Sequence, residues 1–102
     1  MELLPDELKS RLPPIHSQDS EMLPMVYARF SLSGTPLVWY AIEGQAEGGD
    51  YLFFGFVLGP NDFRNFRLSE LEAARSLAGN RVERDIRFTP GRFTDVIPAP
   101  DL

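Results

Sequence analysis

Residues 37–59 read LVWYAIEGQAEGGDYLFFGFVLG, and no other stretch restricts the fold so tightly. Two apolar runs, Leu37–Glu43 and Tyr51–Leu58, flank a polar, glycine-bearing connector at Gly44–Asp50. β-Branched and aromatic residues fill both runs, a composition that suits a pleated sheet. At seven and eight residues they are also too short for a comfortable helix. The pattern predicts a β-hairpin with a loose seven-residue connector. Side chains alternate across a strand, so Val38, Tyr40 and Ile42 share one face while Leu37, Trp39 and Ala41 share the other. The second run separates Leu52, Phe54, Phe56 and Leu58 from Tyr51, Phe53, Gly55 and Val57 in the same way. Both faces are apolar, which marks a central pair covered by helices on one side and by chain or a partner on the other.

The flanking sequence supplies those covers. Leu3–Leu12 reads as a short helix, with Pro5 at its start and Leu4, Leu8 and Leu12 as an apolar stripe. Pro13 and Pro14 end it, and Ile15–Pro24 is a polar connector holding His16. Met25–Leu32 reads as a strand, and Phe63–Leu68 as a further short one. Ser69 followed by Glu72 has the spacing of a capping box, which predicts a helix running to about Ala78 before Gly79-Asn80. Arg81–Phe88 reads as the last strand. On it Arg84 is a fixed charge on the otherwise apolar face of Val82, Ile86 and Phe88. A buried arginine needs a carboxylate, and Glu43 at the end of its strand is the candidate for a structural ion pair. Residues 91–102 are expected to form an extended or frayed tail. The expected architecture is one α+β domain over residues 1–102. Its antiparallel sheet has four to five strands, with two short helices packed mainly on one face.

Composition removes several functions. The 102 residues include no cysteine and one histidine, which excludes disulfides, cysteine catalysis, and thiolate or histidine-rich metal centres. No metal and no cofactor is expected. No apolar run approaches the ~20 residues of a membrane span, and the acidic N-terminus does not resemble a signal peptide, so a cytoplasmic location is expected. His16 has no nucleophile or acid partner near it in sequence, so it is read as a surface or structural histidine, and no catalytic residue is assigned. The connector GQAEGGD lacks a lysine and joins two strands, unlike a phosphate loop. The net charge of −5 is concentrated in residues 31–63, where Glu43, Glu47, Asp50 and Asp62 stand without any base. An acidic balance argues against direct nucleic-acid binding.

Six motifs in order, LPPIHSQ, VYARF, VWYAIE, LFFGFVLG, FRLSELEAAR and VERDIRFTP, cover roughly residues 3–90. Together they resemble a family of small bacterial single-domain proteins of no assigned function, often carried on plasmids and mobile elements. His16 departs from the aromatic residue usual there, and residues 44–50 are richer in glycine. The resemblance brings no catalytic residues. It implies a setting in conjugation, DNA modification or conflict with host defence.

Two functions of different class follow, and a third stands behind them. The first is a non-catalytic binding module that inhibits or modulates a DNA-handling or defence machine, of anti-restriction or anti-CRISPR type. Its partner is a protein or nucleoprotein complex. Contact is made either by an acidic DNA-mimicking patch of Glu43, Glu47, Asp50 and Asp62, or by exposed aromatics. A homodimer fits an uncovered aromatic face. The second is a small enzyme or ligand-binding domain using Glu43, Arg84 and neighbouring Trp39 and Tyr40, with Glu83 and Asp85 nearby. The third, DNA binding by the C-terminal arginines, is opposed by the acids between them.

Overall fold

The organising hairpin is longer and tighter than its apolar runs alone imply. In the computed structural model, which describes residues 1–98, strands β3 (Val38–Glu47) and β4 (Asp50–Leu58) stay paired out to Glu47 and Asp50. Only Gly48 and Gly49 connect them, in place of the expected seven-residue loop. Gly48 takes φ +60, which a side chain resists, and Gly49 has no positive φ. That is the pattern of a II′ turn, whose twist matches the strands it joins. Polar residues at Gln45 and Glu47 concealed the extension because this end of the hairpin is exposed.

Three more strands complete the main antiparallel sheet: β2 (Ala28–Leu32), β5 (Asp62–Arg67) and β6 (Val82–Arg84), in the order β5-β4-β3-β2-β6. Tyr27 separates β2 from β1 (Met25–Val26), which pairs with β7 (Gly91–Arg92) as a second, two-stranded sheet. The single strand expected over 25–32 is therefore two. The strand expected over 81–88 is cut to three residues, because the chain turns after Arg84 and Phe88 N–H bonds back to Asp85.

Both faces of the sheet carry cores, as the two-sided apolar pattern requires. One face buries Phe30, Ala41, Phe53, Val57 and Phe66 under helices α1 (Asp6–Arg11) and α2 (Leu68–Ala73), with Leu8 and Leu71 pointing in. Phe53 packs edge-on to Phe30 at 5.8 Å and stacks on Phe66 at 5.1 Å. The other face buries Val26, Tyr40 and Ile42 against α3 (Phe93–Val96) and Ile97. Residues 91–96 are thus not tail. Phe93, Val96 and Ile97 carry an i, i+3, i+4 apolar pattern, and burying it orders the segment. For residues 99–102 the expectation of a frayed end lies outside the described residues.

The predicted capping box is displaced. Asp50 takes both the Ser69 N–H (3.2 Å) and the Ser69 hydroxyl (2.5 Å), so Ser69 cannot cap the helix. The helix begins one residue earlier, and the Glu70 carboxylate accepts the Arg67 N–H at 3.1 Å. Its end moves too, to Ala73, where Ala74 turns extended.

Candidate functional site

Register decides where the charged residues go. Opposite β4 the pairing runs Tyr40↔Phe56, Ala41↔Gly55 and then Glu43↔Phe54, so Ile42 is an extra residue, a β-bulge. The bulge reverses the alternation beyond it. Glu43 therefore lies with Phe54 on the α3 face, whereas plain alternation places it with Trp39 and Ala41. Arg84 pairs with Phe30 and belongs to the α1–α2 face. The proposed Glu43–Arg84 ion pair is thereby overturned: the two residues sit on opposite faces of the sheet. The enzyme reading that joined them loses its constellation for the same reason.

Glu43 has other work. It is 1% exposed, the one buried charged residue among those described. Its carboxylate accepts the backbone N–H of His16 at 2.9 Å and of Gln18 at 2.7 Å. Around it, Gly44 N–H bonds to the Pro13 carbonyl and Ile15 N–H to Gln45 Oε1. Gln18 completes the clip by donating to the Met25 and Ile42 carbonyls and accepting the Met25 N–H. The connector 13–24 thus occupies the edge of β3 beyond the end of β2, and the buried charge is matched by hydrogen bonds. Positive φ at His16 (76°) marks the sharp turn that aims these amides at Glu43. The His16 ring points outward and meets Asp19 at 2.9 Å.

Of the remaining members of the expected acidic patch, Glu47 and Asp50 face each other across the hairpin tip, while Asp62 lies apart. Glu47 is ion-paired with Arg67. Asp62 holds Arg64 through two hydrogen bonds of 2.9 and 3.1 Å. Asp50 serves Ser69, whose hydroxyl bond is the chief cause holding its carboxyl below the ordinary 3.8. Asp62 is likewise lowered, by its hydrogen bonds with Arg64. Asp50 starts β4 and Asp62 pairs with Val57 near its end, roughly 23 Å apart at strand rise. With one carboxylate buried, two neutralised and one serving as a latch, these residues make no DNA-like array.

What the α3 face does present is aromatic. Phe56, Phe63 and Phe93 meet at centroid distances of 5.1–5.3 Å, and Phe54 stacks on Phe63 at 6.0 Å. Phe63 is 48% exposed, on β5, whose outer edge has no neighbouring strand among the described residues. Between these rings and Leu58, Ile97 and Pro98 opens an apolar groove of about 700 Å³. A second cleft continues past Phe63 to Phe54, Met22 and the Glu43 clip. The sequence reading named aromatics as a contact class without selecting Phe63, Phe93 or Met22. Alternation along DFRNFR, with Phe63 and Phe66 on opposite faces, was the available signal.

Arg84 lines a cavity beneath α1 with its Nε buried and without an acceptor among the described residues, an arrangement that costs about 1–3 kcal/mol. Among the described residues no group of three or more His, Asp or Glu could hold a metal ion, and no helix is long and apolar enough to cross a membrane.

The fold and its surface define a small α+β domain with an aromatic sheet face beside an unpaired edge strand. The chain belongs to the family described as "Protein of unknown function (DUF2958)", which matches residues 3–96. No curated protein and no solved structure matches it.

Proposed function

We propose that this protein is a non-catalytic binding module whose contact surface is the aromatic groove and the adjoining edge of β5. The observation that carries the reading is the Phe56–Phe63–Phe93 cluster, half-exposed around an apolar groove at a free strand edge. An unpaired edge offers backbone donors and acceptors to an extended segment, and a flanking apolar groove takes alternate side chains. Aromatic residues, Phe among them, are enriched at protein interfaces relative to the rest of the surface. The fitting partner is a protein presenting an extended apolar segment. Arginines on β5 are already paired with Asp62 and Glu47, so the contact draws little from charge.

A protein of DNA-processing or defence machinery is the partner class proposed, on the family resemblance of the motifs from LPPIHSQ to VERDIRFTP. Cytoplasmic action goes with that proposal. The earlier alternative of acidic DNA mimicry is not retained, given the pairing of Glu47 and Asp62 and the burial of Glu43.

Affinity capture from the native host with wild-type and Phe63→Glu protein, in nuclease and at low and high salt, tests the reading. One protein retained at high salt by wild type and lost by Phe63→Glu supports it. Loss of all capture at high salt, or equal capture by both proteins, sinks it.

A further inference from the structure

Under α1 lies a cation that no described residue neutralises. Arg84 reaches the helix-covered face from β6, opposite Phe30. Its Nε is closed off from solvent without an acceptor, and its guanidinium makes no ion pair among the described residues. Two carboxylates, Glu7 and Asp85, line the same cavity, but each is already engaged. Glu7 holds Arg11 at 2.7 Å. Asp85 faces Arg29 at 3.9 Å and accepts the Arg87 N–H at 3.0 Å. With these pairs set against each other, Arg84 is the uncompensated charge of a cavity of about 180 Å³.

We propose that this cavity binds the oxyanion group of a small acidic ligand, with Arg84 as its charge partner and Arg11 and Tyr27 as further donors. A guanidinium offers a carboxylate or phosphate two parallel N–H bonds, and Arg is the residue suited to that recognition. The site lies beside α1 at the β6 end of the sheet, shares no lining residue with the aromatic groove, and does not depend on it.

The test is an NMR titration of ¹⁵N-labelled protein, following the Arg84 Nε–H signal. Inorganic phosphate and acetate are the two probes, with sodium chloride at matched ionic strength as control. Saturable movement of the Arg84 signal with phosphate or acetate but not chloride is the expected result, and the stronger probe identifies the head group. Indifference to both probes, or a response equal to that of chloride, overturns the proposal. Arg84→Lys keeps the charge but loses the fork, and should bind about tenfold more weakly. Should Arg84→Lys fold poorly, Glu7→Gln serves instead, since Glu7 is exposed on α1. Freeing Arg11 from its carboxylate should tighten binding about threefold; weaker or unchanged binding counts against the site.

Discussion

The Glu43 carboxylate accepts the Gln18 N–H at 2.7 Å, joining residues 25 positions apart and fixing the connector 13–24 to the edge of β3. That connector carries Met22, one wall of the cleft continuous with the aromatic groove. A buried charge in the sheet thus shapes the proposed contact surface without being part of it.

Removing that charge should therefore be costly. Glu43→Ala strands the His16 and Gln18 amides, and each buried unsatisfied donor costs about 1–3 kcal/mol. We expect a loss of about 3 kcal/mol by urea unfolding, or roughly 10–20 °C in Tm for a domain this size. Glu43→Gln keeps one accepting oxygen and should lose about half as much. Equal stability of Glu43→Ala and wild type would contradict the clip.

The position of Glu43 also shows what a sequence can and cannot disclose here. Strict alternation correctly put Arg84 on the apolar face with Val82, and Leu52, Phe54, Phe56 and Leu58 together on β4. Along β4 deeper and shallower burial alternates residue by residue, so period two holds there. The bulge at Ile42 is not visible, because Tyr40, Ala41 and Ile42 are apolar without alternation and the one charge beside them, Glu43, is buried as they are. Competition between partners hid the rest. Ser69 has the right spacing to cap α2, yet a carboxylate from another strand, Asp50, claims it first. Nothing local to residues 69–72 contains that information.

Gly55 tests the same bulge from the facing strand. A Cβ there would lie 1.8 Å from the Tyr40 carbonyl oxygen, a backbone atom with no room to move. Gly55→Ala must separate β3 from β4 at their centre, and we expect a loss of at least about 3 kcal/mol, beyond ordinary overpacking. Gly49→Ala is the control, since open space surrounds its added methyl. Its midpoint in urea should stay within about 0.5 kcal/mol of wild type.

The hairpin tip should respond to acid. The Ser69 hydroxyl is the first cause of the lowered Asp50 pKa, with the Tyr51 N–H second. A carboxylate depressed by folding contributes stability that is present above its unfolded value and is lost as pH falls through the folded one. The Asp50–Ser69 latch should thus be intact at neutral pH and should release below pH 3.8. Ser69→Ala removes the main cause, so a ¹³C carboxyl titration of Asp50 should move back up toward 3.8. No movement would mean that Ser69 does not hold the group.

Charge and aromatic contacts make opposite demands on the proposed partner surface, and paired substitutions separate them. Glu47→Gln with Asp62→Asn removes two surface carboxylates that are already neutralised by Arg67 and Arg64. Exposed pairs of this kind are worth about 0–1 kcal/mol, so partner affinity should change less than about fivefold, and that small change should vanish at high salt. Phe63→Glu instead places a charge among Phe54, Phe56 and Phe93. Truncating a central aromatic anchor commonly costs at least about 2 kcal/mol, so affinity should fall about thirtyfold or more at any ionic strength. Phe63 is half exposed on an edge strand, so the fold should tolerate the change, and circular dichroism should remain that of wild type. If the double carboxylate variant loses the partner while Phe63→Glu keeps it, the contact is electrostatic and the aromatic groove is not where it is made.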